Sequence, residues 1–220
     1  MNNHYLSFAT DGSFGTKNLI KKQEIQKDQM LKYGFTPHAF GIADINFVLL
    51  NINPYEKGCG FWAWKPYLIG NVLAELNDGD RLLYSDADIS IGKNPLDFIT
   101  TSEHLAIIAT GFSQDGYTKR DCFIKMGCDS PEYYKLAQVW AGIIGFINSP
   151  YTRQFVKVWQ EYCLDRQVIS DDKSILGPDF GHFVAHRHDQ SIITNLIHST
   201  KITRPLHNSW ANGFGHPAGD

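Results

Sequence analysis

Arg81-Leu82-Leu83-Tyr84-Ser85-Asp86-Ala87-Asp88 is the stretch on which the fold of this chain turns. The first five residues form a short, mainly apolar run that reads as a strand, and the two carboxylates fall at its C-terminal end. In open α/β sheets that edge is where ligands bind. Two carboxylates separated by one small residue can turn toward one cation, or toward a cation and a ribose, with Ala87 keeping the approach open. Hard oxygen ligands suit Mg²⁺ or Mn²⁺, which take their remaining ligands from water and a diphosphate. The same D-x-D pattern also occurs in ordinary turns, so the flanking sequence has to decide.

Upstream, Pro66 suits a first helical turn, and Tyr67, Leu68, Ile69, Val72, Leu73 and Leu76 recur at helical spacing. Asn77-Asp78-Gly79-Asp80 stops that helix immediately before the strand. Residues 5–9 read as a first strand that ends in a polar, Gly-rich turn over 10–15, and the lysine-rich stretch 17–33 reads as a surface helix. Residues 105–109 and 140–147 read as buried strands. Tyr151, Phe155, Val158, Trp159 and Tyr162 line one helix face, and Asp189 opens another helix with Ile192, Ile193, Leu196 and Ile197 inward. The tail after Pro205 lacks a regular period and is expected to be a loop that orders over a ligand. Strands alternating with helices, without internal repeats, predict an α/β domain with a mostly parallel sheet flanked by helices.

The composition agrees with one compact domain. The chain has 220 residues, enough for one full core and too few for two. Its 20 Lys+Arg against 23 Asp+Glu leave a net charge of −3, so no basic surplus exists to hold nucleic acid. The longest nearly apolar stretch, residues 139–147, contains two glycines and is far short of the roughly 20 residues a membrane span needs. Met1-Asn2-Asn3-His4-Tyr5-Leu6 has no basic residue or long apolar run, so no signal or transit peptide is expected and the localisation expected is cytoplasmic. The four cysteines have no C-x-x-C spacing and are expected to be reduced thiols. The 14 Phe, 10 Tyr and 5 Trp supply much flat surface, more than a core alone explains.

Gly60-Phe61-Trp62-Ala63-Trp64-Lys65-Pro66-Tyr67-Leu68-Ile69 followed by the D-x-D segment resembles the small GT-A type glycosyltransferases of bacteria and large viruses. Ala141-Gly142-Ile143-Ile144-Gly145-Phe146-Ile147-Asn148 is similar to the inner strand of that fold, which bears a small residue beside the sugar, and His188-Asp189-Gln190-Ser191-Ile192-Ile193 is similar to its D-Q-S helix start. The resemblance runs in unbroken order over residues 5–197. It implies a single GT-A domain over 1–220, with a nucleotide-binding half at 1–110 and an acceptor- and sugar-binding half at 111–220. It further implies a UDP- or GDP-linked sugar donor, a glycan acceptor, and Mn²⁺ or Mg²⁺ on the D-x-D. Ala9, Thr10 and Asp11 are implied at the base and ribose, Asp86 at the ribose or the metal, Asp88 as a direct metal ligand, and Asp189 and Gln190 at the sugar. Some enzymes of this type complete the metal shell with a late histidine, for which His207 and His216 are the candidates.

The same residues can be read physically. Lys65 stands just before a predicted helix N-terminus, where a cation is unfavourable unless an anion is present; a diphosphate would supply one, and the bland reading is a solvated lysine. Trp62 and Trp64 alternate across a strand-like step and should point to opposite sides, with core packing expected for both unless one is exposed as a stacking face for a sugar or base. Asp189 either caps its helix or faces the sugar, where it hydrogen-bonds hydroxyls or acts as general base in an inverting displacement. His182, His186 and His188 could converge on a transition metal, although no cysteine is near and the carboxylates form the better hard-metal site. Lys119-Arg120-Asp121 is either a solvated face or a guide for an anionic acceptor. Two rivals remain: a phosphoesterase holding two ions with Asp86, Asp88, His186, His188 and Asp189, and a catalytically silent carbohydrate-binding domain.

Overall fold

The computed structural model describes residues 1–11 and 18–215. Its central sheet has five strands in the order β2-β1-β3-β6-β5: β1 (Asn3–Phe8), β2 (Thr36–Phe40), β3 (Arg81–Ser85), β5 (Leu105–Ser113) and β6 (Ala137–Ile147). β1 pairs in parallel with both β2 and β3, whereas β6 runs antiparallel between β3 and β5. Four strands therefore point one way and β6 opposes them, the mostly parallel α/β arrangement expected from the sequence.

Both faces of the sheet are covered, which is why its strands are apolar nearly throughout. Alternate residues feed two cores. Leu6, Phe8, Leu82, Tyr84 and Ile144 face one core, and Tyr5, Leu83, Ala106 and Ile143 face the other. The first core is closed by three helices, α2 (Trp64–Glu75), α3 (Pro150–Cys163) and α4 (Asp189–Thr200). Ser149 caps α3 by accepting from the Thr152 N–H, and Phe155, Val156 and Trp159 on its inner side are buried.

Helix α1 (Leu19–Lys32) lies against the other face and is more than the solvated helix its lysines suggest. Gln23 donates to the Ser7 and Phe40 carbonyls, and Gln26 to the carbonyls of Asp86 and Ile89. Gln29 donates to Ile91. Three glutamines at three-residue spacing thus fasten the C-terminal ends of β1, β2 and β3. Gln26 also accepts from the Tyr5 hydroxyl at 2.7 Å, so the turn carrying the D-x-D is held from below.

The tail differs from expectation. Leu206 bridges to Ile108, residues Asn208–Gly213 form a 3-10 turn, and β7 (Phe214–Gly215) pairs with β4 (Ser90–Ile91). Phe214 and Trp210 pack on Phe98 in the second core, so the described part of the tail is anchored away from the cavity described below. His216 lies outside the described residues. Among the described residues no helix is long and apolar enough to cross a membrane.

Candidate active site

Because β1 and β3 are parallel, their C-terminal ends open on the same edge, and antiparallel β6 brings its early residues there. The Asp86 N–H donates to the Gly142 carbonyl at 2.8 Å, setting β6 directly beside the D-x-D turn. A cavity of about 480 Å³ opens at this edge, walled by Phe8, Thr10, Asp86, Ala87, Asp88, Trp140, Ala141 and Gly142 from the sheet. Lys57, Gly58, Cys59, Trp62, Trp64 and Lys65 form a second wall, and residues 186–190 a third.

At the floor is a buried ionic trio. The Lys65 ammonium lies 3.0 Å from Asp189 Oδ2 and 3.3 Å from Asp86 Oδ1, and it donates to the Ala141 carbonyl at 3.1 Å. Three acceptors match its three N–H groups. Burial alone would push the ammonium pKa down, but Asp189 and Asp86 outweigh that, so Lys65 stays charged. Burial pushes the Asp189 carboxyl up to about 6, with Lys65 opposing and Asp86 adding to the shift. The Tyr84 hydroxyl donates to Asp86 Oδ1, and the Lys65 ammonium sits 5.1 Å above the Tyr84 ring.

This corrects the reading of Lys65. Helix α2 begins at Trp64, so Lys65 is inside its first turn, 2 % exposed, and its anions are two carboxylates of the chain itself. It positions Asp86 and Asp189 and has no N–H left for a diphosphate.

The Trp62/Trp64 alternation is also corrected, because no strand exists there. Residues 58–62 have φ values of 61°, 59°, 91°, 58° and 59° in order, a full turn of left-handed helix. L-residues pay roughly 1–2 kcal/mol each for this conformation, so a run of five that includes Cys59, Phe61 and Trp62 has to be held by its surroundings. The Trp62 N–H and the Trp64 indole N–H both donate to the Gly58 carbonyl, at 3.2 and 2.9 Å. As a result both indoles border the same cavity: Trp64 is buried against Phe8 with centroids 4.1 Å apart, and Trp62 is half-buried.

A second backbone outlier adjoins it. His188, with φ 51° and ψ −121°, turns the chain so that Asp189 faces Lys65 while its own ring stacks on Phe61. Gln190 is occupied, donating to Gln138 and accepting from the Ala141 N–H, which bolts α4 to β6. The Asp189 carbonyl accepts from the Trp159 indole at 3.1 Å.

Of the residues predicted at the base and ribose, Thr10 borders the cavity. Ala9 is buried with its N–H on the Phe40 carbonyl, and Asp11 accepts from the Ile20 N–H, so neither borders it. His207 is corrected as well: its ring accepts from Ser209 at a 3-10 N-terminus and is absent from the cavity wall. Among the described residues no group of three or more His, Cys, Asp and Glu is gathered closely enough to hold a metal ion. The two-ion rival loses His186, which donates to the Val168 carbonyl and accepts from the Lys119 N–H, whereas His188 donates through Nδ1 to the Ile169 carbonyl and keeps Nε2 without a hydrogen-bond partner. His182 stands apart, 3.1 Å from Asp115. Lys119 and Asp121 are neither a solvated face nor an acceptor guide. Both are buried and hold the 170–176 loop, Lys119 through the Ser170 and Asp172 carbonyls and Asp121 through the Ile175 and Leu176 N–H groups.

The donor set does fit one divalent ion that takes most of its ligands from elsewhere. Asp86 has Oδ1 engaged by Tyr84 and Lys65, whereas Oδ2 lies toward Gly142, where a Cβ would come within 3.1 Å of it. Asp88, half-buried, borders the same cavity. Two such carboxylates suit Mg²⁺ or Mn²⁺ bound with a diphosphate and water.

No family model matches the sequence, and a search of curated proteins finds no match. Among solved structures the chain is similar to a glycosyltransferase involved in glycosylation of the major capsid of PBCV-1, at 10% identity and a TM-score of 0.46, covering 100% of this chain and 96% of that one. It is also similar to the galactosyltransferase LgtC, solved with donor and acceptor sugar analogues, at 14% identity and a TM-score of 0.47, covering 87% and 70%. A third similar structure is the apo form of the glycosyltransferase GlyE of Streptococcus pneumoniae TIGR4, at 12% identity and a TM-score of 0.39, covering 95% and 46%. Likenesses of this degree carry no argument about the reaction, which has to be built from the side chains.

The Asp189 shift has a measurable sign. The folded-state pKa of about 6 exceeds the ordinary 3.8, so between these values the folded protein holds a proton the unfolded chain releases. This group's contribution to stability is therefore greatest near pH 4 and declines as pH rises to about 6. The melting temperature of the wild type relative to Asp189→Asn should be higher at pH 4.5 than at pH 7; equal differences at both would refute the raised pKa.

Proposed function

We propose that this protein transfers a sugar from a nucleoside diphosphate donor to a hydroxyl of a glycan. The observation that carries the reading is the joining of the D-x-D edge to Asp189 through one buried lysine on the floor of a single cavity. Thr10 borders the nucleotide end. Asp88 and the open oxygen of Asp86 would hold Mn²⁺ or Mg²⁺, which when bound offsets the negative charge that gathers on the departing diphosphate. Lys65 keeps Asp86 and Asp189 at fixed separation. Asp189 accepts hydrogen bonds from sugar hydroxyls, and in an inverting displacement it is the group placed to take the acceptor proton, being ionised above about pH 6. Trp62 and Trp140, both half-buried on the cavity wall, would give a sugar ring flat apolar faces.

The test is to incubate the protein with UDP- and GDP-linked sugars and Mn²⁺ and to follow release of the nucleoside diphosphate with and without glycan acceptors. Release is expected for at least one donor, and it should fall on the order of 100-fold in Asp88→Asn with the fold unchanged. Undiminished turnover in excess EDTA would sink the metal role. Absence of release from every donor would sink the transferase reading and return the phosphoesterase and carbohydrate-binding readings.

A further inference from the structure

The wall of the cavity also carries basic groups. Asp86 and Asp189 flank the Lys65 ammonium, and His188, Arg187 and Lys57 border the same cavity. Arg187 is exposed with its guanidinium 5.1 Å from the Tyr117 ring centroid, and among the described residues it has no carboxylate partner. Lys57 reaches Asp171 only at 3.7 Å, and His188 Nε2 reaches the other oxygen of Asp171 at 3.6 Å. Both are longer than a tight charge-assisted hydrogen bond, which closes at about 2.7–2.9 Å.

His188 is 2 % exposed and donates through Nδ1 to the Ile169 carbonyl at 2.8 Å, which leaves Nε2 buried without a hydrogen-bond partner. All three basic groups border the same cavity, and burial, with the positive charges of Lys57 and Arg187 adding to it, holds the His188 ring below its ordinary pKa. One loosely placed, half-exposed carboxylate is thus shared by Lys57 and His188, and the Arg187 guanidinium has no carboxylate partner among the described residues. Such a cluster is built to receive an anion, and the buried acceptor next to it wants an O–H donor. An acidic sugar offers both in one ring.

We propose that this basic part of the cavity wall seats an anionic substituent of a sugar, a carboxylate or phosphate, with Lys57 and Arg187 as its counter-charges and His188 as the acceptor for a neighbouring hydroxyl. The inference rests on the transferase reading for its setting. In that setting the diphosphate lies on the Asp86–Asp88 side, so the anion belongs to the donor's sugar or to the acceptor.

Two measurements test it on the intact chain. In the first, the His188 ring is followed by NMR while sodium glucuronate or glucose is added. Glucuronate should shift the ring signals and glucose should not, the response should disappear in the double variant Lys57→Gln/Arg187→Gln, and Asp171→Asn, which removes the competing carboxylate, should tighten it. No shift, or equal shifts with both sugars, overturns the proposal. In the second, KM is compared for charged and neutral substrates. The double variant should raise KM for the acidic one roughly 10- to 100-fold and leave the neutral one within about twofold. A rise with UDP-glucuronic acid over UDP-glucose assigns the anion to the donor, and a rise with a uronate-ended over a neutral acceptor assigns it to the acceptor. Parallel changes for charged and neutral substrates overturn it. A wild type that releases no nucleoside diphosphate from any donor defeats the transferase reading alone, and the NMR titration then decides the anion seat by itself.

Discussion

Replacing Lys65 with methionine is expected to lower folding stability by about 3–5 kcal/mol, because it leaves two carboxylates without the cation that separates them in a buried site. The ammonium has three partners and almost no contact with water. Methionine keeps the length of the side chain and most of its packing, so the loss reports the charge. Urea unfolding of the two proteins at pH 7 measures it, and a loss under about 1 kcal/mol would show that the trio does not hold the floor. The double variant Lys65→Met/Asp189→Asn should recover part of the loss, since it no longer buries an unpaired carboxylate beside Asp86, and the departure from additivity isolates the coupling. Turnover of a nucleotide sugar by the single variant should fall roughly 100-fold, the scale of a small misplacement in a catalytic site.

Gly60→Ala is the second large effect. Gly60 has φ +91° in the left-handed turn, and a Cβ there would fall 2.0 Å from Ile52 Cγ2 and 3.2 Å from the Asn53 carbonyl oxygen. The conformational cost and the overlap add to about 2–4 kcal/mol. The damage should also reach the cavity, because Trp62 and Gly58 belong to the same turn and the Gly58 carbonyl holds the Trp64 indole. A shift in tryptophan emission together with the lower melting temperature is the expected result. A variant as stable as the wild type would mean that the turn can unwind without consequence. The turn also divides two spaces: Gly58, Cys59 and Trp62 face the cavity at the sheet edge, while Gly60, Phe61 and Ala63 face a second hollow bounded by Phe47, Ile52 and Arg166.

The parts of the molecule that were legible in the sequence are those encoded locally. The apolar run 81–85 became β3, and the Pro66 signal and helical spacing became α2, with a start two residues earlier than the proline suggests. Of the face expected from Tyr151, Phe155, Val158, Trp159 and Tyr162, Phe155 and Trp159 are buried on α3 and Val158 and Tyr162 partly so, whereas Tyr151 is exposed and Val156 joins the buried side; the segment opened by Asp189 became α4. The stretch 141–148 was expected to be an inner strand bearing a small residue; it lies within β6, where Gly142 stands against Asp86 and Trp140 with no room for a Cβ. The glutamines of α1 were invisible because their partners are carbonyls on three separate strand ends, and a glutamine at a buried position looks like any polar surface residue. The left-handed turn was missed because Gly58 and Gly60 permit it but only packing compels Cys59, Phe61 and Trp62 to follow.

Lys65 shows where that boundary lies. The sequence determined that a lysine at a helix start requires an anion nearby, because a positive charge there opposes the helix dipole. It also determined that Asp86 and Asp88 end a strand and that Asp189 begins a helix. Which anion meets the lysine depended on how α2, β3 and α4 are stacked, since Asp86 and Asp189 reach it from separate elements. Local pattern sets which charges exist and which element bears them. Only tertiary packing sets their separation and removes the water between them, and on those two quantities both the energy of the trio and the pKa of Asp189 depend.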